Sequence, residues 1–224
     1  MQRIIITTKD NSKTLLISDL NETYHSTHGA LTEAQHIFIK NGINQLKNIK
    51  NTKISIFEMG FGTGLNAILT YQFATKNGLS IDYKTIEKYP ISFEEIESLD
   101  YVNELKLENL SKIYNEMHQV NPKLLTLLTK QFSFTKYHED IKLLNLPKTS
   151  LDLIYFDAFA PQHQPDLWTE EVLSKMYNAL KPNGFLITYC AQGKFKRTLK
   201  SIGFSVIGLD GPPGKREITK AIKL

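Results

Sequence analysis

The stretch FEMGFGTGLNA, residues 57–67, is the most informative part of the sequence for the fold. Gly60, Gly62 and Gly64 alternate with other residues directly after the apolar run KISIFEM. A residue without a Cβ lets the backbone approach a bound ligand closely, so this spacing predicts a strand, a ligand-binding loop and a helix. The dinucleotide fingerprint G-x-G-x-x-G would place its third glycine where this chain has Leu65. The loop therefore differs from an ordinary dinucleotide-binding turn.

An acid, Glu58, precedes this loop at the expected end of the strand. A carboxylate suits a ligand with an ammonium group, such as the methionine part of S-adenosylmethionine (SAM), better than it suits two phosphates. We expect Glu58 and the loop amides to hold that end of the cofactor, and Asn66 to cap the following helix. The predicted cofactor contacts in this stretch are Glu58, Gly60, Phe61, Gly62, Thr63, Gly64 and Asn66.

Strand-like and helix-like segments alternate from residue 53 onward, which predicts a doubly wound, mostly parallel sheet of about seven strands. The last two strand-like segments, 204–209 and 216–224, are joined by DGPPGK and should form an antiparallel hairpin. A parallel sheet closed in this way is typical of the Rossmann-like class I SAM-dependent methyltransferase fold. We expect a hairpin and helix extension over residues 1–50 and the methyltransferase domain over 51–224, with a helical insertion at about 91–129.

Three further acids follow successive strand-like segments. Parallel strands end at one edge of an open α/β sheet, where ligands bind. Glu87 is expected to bind the ribose hydroxyls, Asp140 the adenine amine, and Asp157 to lie near the transferable methyl group. Their neighbours Lys88 and Ile141 complete the predicted cofactor site.

The composition sets broad limits. The 224 residues carry a net charge of +4, but residues 190–224 have eight basic and two acidic residues and so carry +6. This basic end is either a nucleic-acid-binding surface or a solvated helix face. The single cysteine, Cys190, excludes an internal disulfide, and the six histidines lack metal-ligand spacing. Without an apolar run of about 18 residues or a secretory signal, a cytoplasmic protein is expected, with no membrane or metal partner.

Five blocks resemble one family in the expected order. They are YHSTHGALTEAQHIF (24–38), GFGTGLN (60–66), DAFAP (157–161), PDLW (165–168) and GPPGKRE (211–217). The chain resembles the tRNA 5-methylaminomethyl-2-thiouridine methyltransferases, whose bifunctional members fuse this domain to a flavin-dependent oxidoreductase. Because the given sequence ends at Leu224, a monofunctional enzyme without flavin is expected.

The resemblance implies SAM-dependent methylation of the 5-aminomethyl group on a tRNA wobble uridine. It places Asp157 and Phe159 at the reacting centre, where Asp157 would orient the amine rather than act as a strong base, since an ordinary Asp titrates near ~4. Tyr24 and Trp168 could stack on the uridine. Phosphate contacts are expected from Lys194, Lys196, Arg197, Lys200, Lys215 and Arg216.

Three alternatives stay open. A SAM-dependent methyltransferase or aminopropyl-transferring relative could act on a small amine, which the basic C-terminal end mildly disfavours. A noncatalytic RNA-binding module could retain the fold, although Glu58, Glu87 and Asp157 argue against it. An NAD oxidoreductase is disfavoured by Leu65 and by the terminal hairpin. The pattern leaves the oligomeric state open.

Overall fold

The computed structural model describes residues 2–48, 52–104 and 110–224. The predicted domain boundary between residues 50 and 51, and the helix predicted across 105–109, lie outside the described residues. The helices are α1 Ala30–Ala34, α2 Leu65–Asn77, α3 Phe93–Leu99, α4 Tyr101–Glu104, α5 Ser111–Gln119, α6 Glu170–Ala179 and α7 Gly193–Ile202. The strands are β1 Arg3–Thr7, β2 Lys13–Ile17, β3 Glu22–Thr23, β4 Ile54–Met59, β5 Ile81–Ile86, β6 Thr126–Thr129, β7 Phe132–Tyr137, β8 Leu151–Phe156, β9 Leu180–Thr188, β10 Phe204–Asp210 and β11 Glu217–Lys223.

The central sheet has eight strands in the order β10-β11-β9-β8-β4-β5-β7-β6. The five strands from β9 to β7 in this order pair in parallel, and β11 joins them antiparallel to β9 and β10. Their apolar runs suit parallel strands that are covered on both faces. The predicted class I methyltransferase-like α/β fold and the C-terminal antiparallel hairpin are confirmed.

The prediction of about seven strands is short by one, because β6 lies where a helix was predicted. Thr126 and Leu127 pair with Phe134 and Ser133 of β7, antiparallel to that strand. Leu128 is buried while Leu127 is 65% exposed, which is the alternation of a strand rather than of a helix. The leucines of PKLLTLLTK are spaced as in a helix. The chain instead turns at residues 130 and 131, so that this segment pairs with β7 as a strand.

Two further element boundaries differ from expectation. The helix predicted from Pro165 begins only at Glu170, where the Thr169 hydroxyl accepts a hydrogen bond from the Val172 amide. The segment Pro165–Leu167 forms a short 3₁₀ turn before it. Strand β9 starts at Leu180, four residues before the predicted start, because Leu180 pairs with Leu151.

The core divides between the two faces of the sheet. Ile56 belongs to the hydrophobic cluster that includes α2, whereas its neighbour Phe57 belongs to the cluster that includes α6. Neighbouring residues of a strand point to opposite faces, so both sides of β4 are buried. Because the strands from β9 to β7 run in the same direction, their carboxyl ends and the glycine loop lie at one edge of the sheet.

The N-terminal residues form a separate three-stranded sheet. The predicted hairpin is confirmed as antiparallel β1 and β2, and the short strand β3 adds to β2. After α1 the chain continues as a π-helix, Gln35–Lys40, which the apolar spacing does not distinguish from an α-helix. No helix in the described ranges is both long and apolar enough to cross a membrane.

Candidate active site

A cavity of about 510 Å³ lies at the carboxyl ends of the parallel strands. That volume is within the usual range of small-molecule sites. Most residues of the predicted site line it, namely Tyr24, Gly60, Phe61, Gly62, Thr63, Asn66, Glu87, Lys88, Asp140, Ile141, Asp157, Phe159 and Lys215. Glu58, Gly64, Trp168, Lys194, Arg197 and Arg216 do not line it.

The glycine loop after β4 lies against the backbone at the start of the loop that follows β8. Gly60 has φ 91°, and a Cβ there would lie 2.5 Å from the Asp157 carbonyl oxygen. The amides of Gly60 and Phe61 both donate to the Ile86 carbonyl at 3.1 Å. Gly60 is therefore required for the close approach of the loop to the strand ends on both sides of β4.

Glu87 fixes this loop with its carboxylate. Its Oε2 accepts a hydrogen bond from the Gly62 amide at 3.0 Å, and its Oε1 accepts one from the Tyr89 amide at 2.8 Å. The contact with Gly62 ties the end of β5 to the loop after β4. The predicted contact of Glu87 with the ribose hydroxyls stays a prediction.

Glu58 lies beneath the cavity wall, with no exposed surface. The Thr85 hydroxyl donates to Glu58 Oε2 at 2.8 Å. Burial raises the pKa of Glu58 to about 8 against the opposing effect of this hydrogen bond, and the Asp157 charge adds to the increase. The structure thus brings Glu58 near the loop but not to the cavity surface, and its contact with the cofactor stays a prediction.

The capping role predicted for Asn66 is wrong. Gly64, with φ 75°, precedes α2, and no side chain caps the helix there. Asn66 Nδ2 instead donates to Asp157 Oδ2 at 2.8 Å. The first turn of α2 therefore positions the carboxylate at the end of β8.

Asp157 faces the cavity among groups of both charges. Burial and, to a smaller extent, the charge of Glu33 raise its pKa to about 7, against the opposing effects of the Asn66 hydrogen bond and the Lys215 charge. A carboxyl group with such a pKa changes its protonation state near neutral pH. It is therefore a better proton acceptor near neutral pH than an ordinary Asp.

Ion pairs cross the rim of the cavity. Lys88 Nζ lies 3.0 Å from Asp140 Oδ2, and Lys142 Nζ lies 2.9 Å from Asp166 Oδ2. A hydrogen bond from the Lys142 amide and the Lys88 ammonium lower the pKa of Asp140, which favours its ionised form. The contact of Asp140 with adenine stays a prediction.

The N-terminal sheet forms another wall of the same cavity. The rings of Tyr24 and Phe159 meet edge to face with centroids 5.0 Å apart. His163 Nε2 lies 2.9 Å from Glu22 Oε2, which joins the start of β3 to the loop after β8. The extension predicted for residues 1–50 thus supplies part of the site.

Some of the predicted substrate residues lie elsewhere. The Trp168 indole Nε1 donates to the Phe159 carbonyl at 2.8 Å, and its ring packs against Phe156 in the core. Stacking of Trp168 on a substrate base is therefore not supported, and the indole instead holds the loop that carries Phe159. Lys194 and Arg197 are exposed on α7, and Arg216 is exposed in the turn before β11.

Several cavity residues were missing from the predicted site. Glu22, Glu33, His163 and Tyr189 line the cavity. Glu33 and His163 fall in or beside the family-like blocks, which could have singled them out. Glu22 and Tyr189 come from segments without a motif, and only the folded chain brings them to the site.

The residues present fit SAM. Acidic side chains face the cavity at the ends of three parallel strands, which suits a cationic sulfonium and ammonium ligand, and glycines leave room for it beside the loop. Glu87 and Asp140 would hold its nucleoside and the loop its amino-acid end. When bound, SAM supplies an electrophilic methyl group on sulfur. No group of three or more His, Cys, Asp or Glu residues in the described part of the chain could hold a metal ion.

Fold and cavity together define a SAM-dependent methyltransferase of class I. The chain belongs to the family described as S-adenosyl-L-methionine-dependent methyltransferase, whose model matches residues 97–224. This match covers more than half of the 224 residues.

Relatives with curated names are longer than this chain. The chain is 29% identical to the tRNA 5-methylaminomethyl-2-thiouridine biosynthesis bifunctional protein MnmC of Cupriavidus necator over 90% of its own length, and 30% identical to that of Ralstonia nicotianae over 90%. It covers 32% of each of these proteins, so it spans about a third of their length.

Solved structures support the fold. The structure of MNMC2 from Aquifex aeolicus has a TM-score of 0.75 at 23% identity, over 98% of this chain and 70% of that one. Spermidine synthase from Thermotoga maritima has a TM-score of 0.53 at 12% identity, over 98% of this chain and 71% of that one.

Proposed function

We propose that this protein transfers a methyl group from SAM to the primary amine of a 5-aminomethyl uridine at the wobble position of tRNA. The tRNA modification is inferred from the names of its relatives, and the cofactor is inferred from the family. The observation that carries the proposal is the Asp157 carboxylate, which faces the cavity where Asn66 holds it. The proposal covers methyl transfer alone. Activity of this protein without a flavin-dependent domain stays a prediction.

The amine must first lose a proton. An alkylammonium group titrates near ~10, so the substrate enters as a cation without a lone pair. Ionised Asp157 accepts a hydrogen bond from this cation, orients it and takes up its proton. The neutral nitrogen would then take the methyl group that bound SAM supplies, with the electron pair of the broken sulfur–carbon bond left on sulfur. The secondary amine is left protonated, and Asp157 releases its proton to water.

The substrate base has to leave the anticodon stack to reach this site. Bases of single-stranded loops are recognised by stacking on aromatic side chains. Tyr24 and Phe159 present such rings on one wall of the cavity. Positive side chains outside the cavity, on α7 and before β11, would contact the phosphates.

The test compares the wild-type protein with Asp157→Asn, which retains an acceptor for Asn66. Mass spectrometry of nucleosides measures conversion of 5-aminomethyl uridine in tRNA incubated with SAM. We expect a loss of at least ~100-fold in rate for Asp157→Asn, in line with loss of a general base, with cofactor binding retained in calorimetry. The control is Asp19→Asn, an exposed aspartate. A wild-type rate for Asp157→Asn would exclude the assigned role.

One feature favours a second candidate, a small cationic amine. Seven carboxylates but only three lysines line the cavity, and the seven are Glu22, Glu33, Glu87, Glu139, Asp140, Asp157 and Asp166. Such a surface attracts polyamines as well as an aminomethyl group. The same assay with free polyamines separates the two, because turnover of a polyamine but not of tRNA would replace the proposed substrate.

A further inference from the structure

One of the three lysines that line the cavity, Lys215, holds its ammonium group against both an acid and an aromatic ring. Its Nζ lies 2.7 Å from Glu33 Oε1 and 4.3 Å from the centroid of the Tyr189 ring. A carboxylate and an aromatic face together form a site that binds organic cations. All three residues line the same cavity as Asp157.

The two residues that bind the ammonium are held by the protein independently of Lys215. Glu33 Oε2 accepts a hydrogen bond from the Ser26 amide at 2.8 Å, and the residue is only 8% exposed. The Tyr189 hydroxyl donates to the Ala158 carbonyl at 2.8 Å, which fixes its ring beside the loop after β8. The carboxylate and the ring face would therefore stay in place if the ammonium left.

Lys215 is the partner that can leave. It lies in the turn between β10 and β11, after Gly214 with φ 86°, and its side chain is 29% exposed. A long, flexible lysine stem can move its ammonium to solvent or to a phosphate without a change in the backbone.

We propose that Glu33 and Tyr189 recognise the protonated aminomethyl group of the substrate, and that Lys215 occupies their site until the substrate displaces it. This inference rests on the proposed function. The charges of Glu33 and Lys215 shift the pKa of Asp157 in opposite directions, so both act at the reacting carboxylate. An ammonium held by Glu33 would thus lie in the same cavity as Asp157 and within reach of its charge.

The proposal makes Glu33 a specificity-determining residue. The measurement is the affinity for two anticodon stem-loop RNAs, one with 5-aminomethyl uridine and one with 5-methyl uridine, in the presence of S-adenosylhomocysteine. The ratio of the two affinities reports recognition of the ammonium and cancels contacts with the phosphates. Wild type should prefer the aminomethyl RNA.

Two variants separate recognition from structural support. In Glu33→Gln the ratio should fall by about 10- to 100-fold, as expected for loss of a hydrogen bond to a charged group, and KM should rise more than kcat falls. In Lys215→Met the ratio of the two affinities should be retained or increased. The substitution removes the ammonium that occupies the site of Glu33 and Tyr189, and Glu33 remains. If Glu33 served only to hold Lys215, both variants would show the same loss.

The outcomes distinguish this inference from the proposed function. If wild type does not methylate the aminomethyl RNA, the proposed function fails. If wild type does methylate it, an unchanged ratio in Glu33→Gln, or an equal loss in Lys215→Met, overturns the role of Glu33. Thermal melting checks folding. Should Glu33→Gln alone fail to fold, Glu33→Gln combined with Lys215→Met leaves no unpaired ammonium, and its ratio is compared with that of Lys215→Met.

Discussion

At the scale of single residues, burial favours the protonated form of two acids of the site, Glu58 and Asp157. Glu58 is fully buried beside the Thr85 hydroxyl, and its Oε1 has no hydrogen-bond donor in the described structure. The buried Asn66 Oδ1 lacks a donor in the same way. A proton on Glu58 removes a buried charge, which is costly without compensating hydrogen bonds.

The contribution of Glu58 to the stability of the folded protein should therefore decrease as pH rises towards about 8. The pKa of Glu58 is about 8 in the folded protein and 4.5 in its ordinary range, so the native state binds more protons than the unfolded state between these values. Unfolding free energy is then lost as pH rises from about 4.5 to about 8. Glu58→Gln, which is always neutral, should be more stable than wild type at pH 8, by on the order of 1–3 kcal/mol.

Urea denaturation at a series of pH values measures this effect. The advantage of Glu58→Gln should shrink as pH falls and be absent below about pH 4.5, where Glu58 is protonated in both states of the wild type. Glu97→Gln, at an exposed position in α3, is the control. If Glu58→Gln is less stable than wild type at pH 8, the carboxylate is ionised and stabilising in the folded protein.

The parts of the site that a local pattern encodes could be predicted from the sequence. Gly60, Gly62 and the acids after successive strands line the cavity because parallel strands end at one edge of the sheet. The cation site of Glu33, Tyr189 and Lys215 could not be predicted from the sequence. Its members come from α1, from the residue after β9 and from the turn between β10 and β11. The spacing of residues along the chain does not show that three segments far apart in sequence meet in the fold.

At the scale of elements, α5 supports the glycine loop from the side. The Tyr114 hydroxyl donates to the Thr63 carbonyl at 2.7 Å, and His118 Nε2 lies 3.2 Å from the same oxygen. Burial lowers the pKa of His118 to about 3, so its ring is neutral and donates from Nε2. The helical insertion was predicted from its spacing, but its contact with the loop depends on how the chain packs, which spacing does not reveal.

Removing the Tyr114 hydroxyl should loosen the loop. Tyr114→Phe leaves the Thr63 carbonyl with one donor, and we expect SAM to bind about 3- to 10-fold more weakly, as for loss of one neutral hydrogen bond. Calorimetry with S-adenosylmethionine measures this. The control is Tyr177→Phe on α6, whose ring packs on Phe204 away from the cavity. Equal affinities for wild type and Tyr114→Phe would show that α5 does not position the loop.

At the scale of the whole molecule, the basic C-terminal end divides into two groups. One group is engaged within the protein: Lys196 Nζ lies 2.6 Å from Glu217 Oε2, and Lys215 pairs with Glu33. The same group includes Lys220, whose Nζ lies 4.0 Å from the centroid of the Phe185 ring, and Lys223, whose Nζ donates to the Leu180 carbonyl at 2.7 Å. The other group is exposed, and it consists of Lys194, Arg197, Lys200 and Arg216. The sequence places all of these residues in one set, since net charge does not show which side chains have partners in the fold.

The salt dependence of tRNA binding should come mainly from the exposed group. Each of Arg197→Gln and Arg216→Gln should weaken binding of all tRNAs alike, and should reduce the slope of log affinity against log salt by about 0.7–0.9, the value for one phosphate contact. Filter binding between low and physiological salt measures the slope. Lys196→Gln is the matched control, because its ammonium is paired with Glu217 and its loss should lower stability without changing the slope. If Lys196→Gln changes the slope while both arginine variants leave it as in wild type, the RNA does not lie on this face of the molecule.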